Sequence, residues 1–221
     1  MNFLNTILDI VFPVYCISCK KKGAELCINC LLLSPPTERE SESWIFPLFD
    51  YRHPPIKKSI WLLKYQGKRR LANIFAEVMY SRILEELSDF EQFENFRNPI
   101  LIPIPLSKKR KRERGFNQAE LLCNALIKLD KNQSTRNNSF ELDKNVLIKP
   151  KDGKHQAQIE DRSKRLKNII GSFVVVNPEK IKNRNVILID DVLTTGATLG
   201  EAKKTLKRAG AKKIIAFTIA H

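Results

Sequence analysis

Apolar and polar positions along this chain fall into blocks of changing period, and each block predicts an element. Phe3, Leu4, Ile7, Leu8, Val11 and Phe12 recur at spacings of one and three, which predicts an amphipathic helix over 1–14 packed on the body of the protein. Ile45–Tyr51 reads as a strand, residues 55–63 have helical spacing, and Gly67 marks a turn within Lys64–Lys68. Leu71, Ile74, Phe75, Val78, Met79, Leu84 and Leu87 fall on one face of a helix over 69–88. Ile100–Ile104 is a short strand ended by Pro103 and Pro105, and residues 107–115 read as a basic loop. A helix over 117–129 turns Leu121, Leu122, Ala125, Leu126 and Leu129 inward, with Cys123 as a buried small residue. Residues 130–168 are polar and aperiodic, the pattern of a functional lid or moving segment. Strands then follow at Gly171–Val176 and Val186–Ile189, a helix over 197–209, and a last strand at Ile214–Ala220. Strands alternating with helices predict an α/β fold with a mainly parallel sheet covered on both faces.

Two stretches break the pattern. Residues 34–43 (SPPTERESES) are polar with two prolines, which predicts a linker between a module over 1–33 and a domain over 44–221. Before the linker, Cys16-x-x-Cys19 and Cys27-x-x-Cys30 stand seven residues apart. A two-residue gap lets both thiolates of a pair face one ion, and two such knuckles supply the four sulfurs of a tetrahedral zinc site. All four positions are then protein ligands, so the site is structural. Two disulfides, a redox pair or an iron–sulfur site are the alternatives. The N-terminus has no basic n-region, carries Asp9 in its apolar stretch and lacks a small-residue cleavage site, so a cytoplasmic location is expected. No apolar run approaches the roughly 18 residues of a membrane span.

The segment richest in chemistry is Val186-Ile-Leu-Ile-Asp-Asp-Val-Leu-Thr-Thr-Gly-Ala-Thr198. An apolar strand ends in two carboxylates, followed by a threonine loop with one glycine and then a helix. Strand C-termini line the ligand crevice of an open parallel sheet, and a helix N-terminus there offers unpaired N–H groups to a phosphate. Thr194, Thr195 and Thr198 add hydroxyls, Gly196 permits close backbone approach, and ionised Asp190 and Asp191 suit the two hydroxyls of a ribose. A helix cap alone needs one such residue; two Asp and three Thr around a glycine read as a cradle for ribose 5-phosphate.

That segment resembles the phosphoribosyl-pyrophosphate signature of type I phosphoribosyltransferases, and the whole chain resembles the ComF family, named for a role in bacterial competence. The resemblance is carried by the four-Cys knuckle, LLKYQGK at 62–68, IPIP with a basic stretch and RGFNQAELL at 102–122, Gln156, RLKNIIGSF at 165–173, and VILIDDVLTTGATL at 186–199. It implies a Rossmann-like phosphoribosyltransferase domain. Asp190 and Asp191 would hold the ribose, with Thr194, Thr195, Gly196, Ala197 and Thr198 around the 5-phosphate. The turn after Pro105, with Ser107 and Arg114, would face pyrophosphate, and residues 149–165 with Gln156 and Arg165 would form a mobile loop. Magnesium would accompany the pyrophosphate. Lys149 stands where many relatives would carry Arg, which weakens a bidentate phosphate contact there.

Charge adds a second theme. Lys and Arg number 39 against 24 Asp and Glu, a net charge of +15 and a pI of about 9.7. Such an excess favours polyanions, although a solvated basic surface gives the same count. Residues 107–115 hold six basic residues, 203–213 six and 149–167 seven. Lys108, Lys109, Arg110, Lys111, Arg112 and Arg114 are candidate contacts to a nucleic-acid backbone. Phe116 is the only aromatic close by in sequence, so base stacking on single-stranded DNA has weak support. Lys203, Lys204 and Lys207 read as the solvated side of the last helix.

Two functions fit: a phosphoribosyl-pyrophosphate-binding protein of DNA uptake, with possible competence-machinery partners, and a metabolic phosphoribosyltransferase with no DNA role. A third is a DNA-binding scaffold with a retired site. No general base stands out, His155 being a lone loop histidine. The acceptor and the oligomeric state stay open.

Overall fold

A computed structural model describes residues 13–133, 140–150 and 171–221. The elements, in order, are α1 (Ile28–Leu32), β1 (Ile45–Phe49), α2 (Pro54–Tyr65), α3 (Arg70–Glu94), β2 (Ile100–Pro103), α4 (Lys108–Arg114) and α5 (Gln118–Gln133). Then come β3 (Glu141–Leu142), β4 (Leu147–Ile148), β5 (Val174–Val175), a 3-10 turn (Pro178–Lys180), β6 (Val186–Val192), α6 (Ala197–Arg208) and β7 (Ile214–Ala220). The expected helix over 1–14 lies almost wholly outside the described residues.

Five strands make one sheet in the order β1-β7-β6-β2-β3, and every pairing in it is parallel. β6 and β7 are apolar almost throughout because helices cover both faces. Side chains alternate across β6: Ile187 and Ile189 join the core beneath α2, α3 and α5, whereas Val186 and Leu188 join the one beneath α6. Edge strands are blunted. β1 carries Pro47, which an edge tolerates, and β3 has two residues.

The connections place the crevice. From β6 the chain passes to β7 on one side, and from β2 it passes to β3 on the other. The adjacent β2 and β6 therefore leave in opposite directions, and the carboxyl ends of this pair form the sheet's switch point, where ligands of open α/β sheets bind.

Three expectations are corrected. Residues 108–114 are a helix, not a loop. The Ser107 hydroxyl caps it by accepting from the Arg110 N–H at 3.3 Å, and Gly115 ends it with φ +75°. Lys and Arg are good helix formers, but α4 buries no residue and so lacks the apolar period by which helices are recognised. The strand expected at Gly171–Val176 shrinks to β5, which pairs antiparallel with β4 as a ribbon outside the main sheet. β3 and β4 arise within the stretch read as aperiodic. Elsewhere α3 runs six residues past its expected end, to Glu94, where Asn95 takes the left-handed conformation at φ +52°.

The cysteine module packs against the body. Cys16, Leu26 and Leu31 belong to the same buried cluster as Phe75, Met79 and Phe96. Residues 34–43 are tied down as well: the Ser34 hydroxyl donates to the Cys30 carbonyl at 2.9 Å, and Pro36 bridges to Phe49.

Candidate functional site

The four cysteines converge. Their sulfurs all lie within 4.8 Å of one another, and Cys19 and Cys27 are 3.6 Å apart. A tetrahedral site with metal–sulfur bonds of about 2.3 Å needs sulfurs about 3.8 Å apart, so one ion fits. A disulfide needs about 2.05 Å, and all four are free thiols. The Cys27 N–H points at Cys16 Sγ at 3.4 Å. Burial works to raise the Cys16 pKa, yet N–H groups of the knuckle outweigh it and hold the thiol near 6, so this sulfur is poised as a thiolate ligand. Cys123 sits within α5, where burial pushes its thiol far up and leaves it inert.

Asp190 and Asp191 end β6 at the switch point. The Asp191 N–H donates to Asp190 Oδ1 at 2.8 Å. Asp191 projects on the same side as Ile187 and Ile189, towards α2, where Lys64 Nζ meets its Oδ1 at 2.8 Å. Both partners are nearly buried, at 16% and 12% side-chain exposure. Asp190 has no such partner among the described residues: burial and then the charge of Asp191 raise its pKa to about 7, against the pull of Lys64 and Arg110. The two carboxylates are therefore inequivalent. One is paired with a lysine, and the other, raised to about 7, shares its proton with neutral solution.

Thr194 and Thr195 follow, both exposed, and Gly196, Ala197 and Thr198 are half-buried at the start of α6. Gly196 has φ +74° and caps the helix, a conformation that favours glycine. An added Cβ would meet nothing nearer than 3.9 Å, so the glycine answers to backbone conformation, not to crowding. The Thr195 hydroxyl accepts from the Ala197 N–H at 3.4 Å, and the Leu193 N–H donates to the Ala220 carbonyl, pinning the loop to β7.

Pro105, Ser107 and Arg114 lie on the other wall, in the turn and helix after β2. Buried Asn117 holds that wall in place: its amide donates to the Ile104 carbonyl at 3.0 Å and its oxygen accepts from the Ala119 N–H. Arg114 donates to Gln118 Oε1 at 3.0 Å. A cavity of about 360 Å³ opens between Lys64, Tyr65 and Gly67 on one side and Arg110, Glu113 and Arg114 on the other. Gln156, Arg165 and His155 lie outside the described residues, and Lys149 Nζ stands over the Phe173 ring at 5.5 Å.

Sequence reading missed Lys64 as a site residue. Its motif was visible, but nothing in the spacing tied residue 64 to residue 191. It also missed Tyr65, whose ring reaches the basic helix across space with Arg114 over it at 5.2 Å, and Trp61, whose ring lies 6.0 Å from that of Tyr65. Lys203 is not simply solvated, since its ammonium sits 3.9 Å over the Trp44 ring; Lys204 is exposed. No described helix is long and apolar enough to cross a membrane.

Residues 130–221 match the phosphoribosyl transferase domain family. Competence protein F of Haemophilus influenzae is 29% identical over 217 residues, covering 95% of this chain and 85% of that protein. Competence protein ComFC of Streptococcus pneumoniae is 29% identical, covering 89% and 81%. The DNA utilization protein YhgH of Escherichia coli O157:H7 is 26% identical, covering 85% and 74%.

Proposed function

Because this chain belongs to the ComF family of competence proteins and carries their phosphoribosyltransferase domain, we propose that it binds phosphoribosyl pyrophosphate and serves the handling of incoming DNA. The observation that carries the ligand is the Asp190–Asp191 pair at the sheet's switch point, running into a threonine loop that closes on Gly196 at the head of α6. Asp190 and Asp191 take the ribose hydroxyls. Thr194, Thr195 and Thr198, with the backbone N–H groups of Gly196 and Ala197, take the 5-phosphate. Pro105, Ser107, Arg110 and Arg114 set the wall that faces pyrophosphate. Magnesium offsets charge on the pyrophosphate when bound.

In the transfer reading, the bond from the anomeric carbon to pyrophosphate breaks, pyrophosphate leaves with the electron pair, and an acceptor nitrogen or oxygen bonds to that carbon as its proton passes to solvent. The protein's part is orientation and electrostatics. The cysteine cluster holds structural zinc in a module over 1–33, joined through 34–43 to the domain over 44–221. The location in this reading is cytoplasmic, and the partners are DNA and proteins of the uptake machinery.

Calorimetric titration of phosphoribosyl pyrophosphate with magnesium tests the ligand. Wild type should bind, and Asp190→Asn/Asp191→Asn should bind at least about a hundredfold more weakly, a loss of roughly 3 kcal/mol. Absence of binding by folded, zinc-loaded wild type would overturn it and leave a DNA-binding scaffold with a retired site.

A further inference from the structure

We infer that the outer face of α2 and the basic helix α4 together form a binding site for single-stranded nucleic acid, with Trp61 and Tyr65 as the surfaces on which bases stack. This rests on the DNA-handling half of the proposed function and gives it a place on the molecule.

Trp61 and Tyr65 are four residues apart on α2, so both rings leave the same face of the helix. They are 41% and 61% exposed, and their centroids lie 6.0 Å apart. Large rings left in water need a reason, and here each ring has a cation beside it. Lys58 Nζ is 4.5 Å from the Trp61 centroid, and the Arg114 guanidinium is 5.2 Å from that of Tyr65. The result is a row in space, Lys58–Trp61–Tyr65–Arg114, that alternates what a phosphate needs with what a base needs.

The row runs into α4. Six of its seven residues are Lys or Arg, none is buried, and no ion pair joins any of the six to a described carboxylate. Like charges crowded on two helical turns repel one another and contribute nothing to a core. A polyanion lying along the helix relieves that repulsion. The 360 Å³ cavity at the α2–α4 junction, with Tyr65 and Arg114 on opposite walls, is the one the proposed function gives to pyrophosphate, so the strand lies across its mouth on the outer rings and along α4. Duplex DNA does not suit the row, because its bases already stack on one another and show only edges in the grooves. A protein partner is less well matched, since the two rings offer little apolar area among so many cations.

The test is anisotropy of a labelled 20-residue oligo(dT), titrated with wild type, Trp61→Ala, Tyr65→Ala and Lys108→Glu/Lys109→Glu at several salt concentrations. Each ring removed should weaken binding about tenfold with the salt slope unchanged. Trp61→Phe should restore most of the affinity, and melting temperatures check folding. The charge-reversed variant should bind more weakly and with a shallower salt slope. A self-complementary duplex of equal length should bind at least about tenfold more weakly than the single strand. Oligo(dT) binding that ignores both alanine variants, or duplex binding as tight as single-strand binding, overturns the inference while leaving DNA handling intact; the rings would then be read as a protein contact. If wild type binds no oligonucleotide, the DNA half of the proposed function falls as well. The phosphoribosyl pyrophosphate titration is independent of both outcomes.

Discussion

The cysteine knuckle and the crevice at the ends of β2 and β6 are both built from charged or ionisable groups, but they are assembled differently. All four sulfurs come from fifteen consecutive residues, and their spacing states their geometry. The crevice draws Lys64 from α2, Arg110 and Arg114 from α4, and Asp190 to Thr198 from the β6–α6 turn. One site is local and self-contained; the other exists only when the sheet has formed. The knuckle's failure should therefore be a failure of folding, and the crevice's a failure of binding.

The largest effect expected is on the knuckle. Its Cys16, Leu26 and Leu31 share a core with Phe75 and Phe96, so loss of a metal held by the four sulfurs would uncover more than a loop. Removing the metal with a strong chelator, or Cys27→Ser, should lower the melting temperature by about 10 °C or more, since structural zinc supplies folding energy outright. A melting curve unmoved by chelation would mean that the module folds by packing alone, and the contrast would fail.

Lys64→Met comes next, and it tests the crevice. Leaving Asp191 nearly buried beside Asp190 without its lysine should cost about 2 kcal/mol of stability and weaken phosphoribosyl pyrophosphate binding about tenfold, with Lys64→Arg recovering much of both. Unchanged binding in the Met variant would make the β6–α6 turn as self-contained as the knuckle.

The same contrast explains what could be read from the chain. Period and turn residues revealed β6, α6 and β7, and spacing revealed the knuckle, because each is a relation between near neighbours. Lys64 to Asp191 spans the switch point, and no local pattern encodes it. Helix α4 escaped for another reason. Helices are recognised by the stripe they bury, and α4 buries none. Trp61 and Tyr65 count as aromatics close to the basic run only after α2 and α4 are brought together.

Acidity gives a smaller effect, confined to the crevice. Asp190 is raised from 3.8 to about 7, so the unfolded chain loses this proton more readily than the folded one. Its contribution to stability is complete below about pH 4 and is lost as pH rises through 7. Asp190→Asn should flatten that part of the stability profile and, at pH 8, stabilise the ligand-free protein by on the order of 1 kcal/mol. The knuckle should show the reverse trend, since its thiols must lose their protons to hold a metal. Urea denaturation from pH 4 to 8, with and without chelator, separates the two slopes. An Asn variant that keeps the falling slope would place the titrating group elsewhere.

The smallest effect concerns charge that belongs to neither site. Lys204 lies exposed on α6, in a run with as many basic residues as the one on α4, spread over a longer stretch. Its position differs from that of α4: among the described residues no exposed aromatic pair stands beside it, and the rings its run meets are Trp44, buried under Lys203, and the half-buried Phe90 under Lys213. Lys204→Glu should therefore change stability by less than about 0.5 kcal/mol and weaken oligonucleotide binding less than about threefold, well short of the effect of Lys108→Glu/Lys109→Glu. Equal losses from the two runs would mean that net charge alone attracts the strand, and that the geometry joining α4 to Trp61 and Tyr65 adds nothing to it.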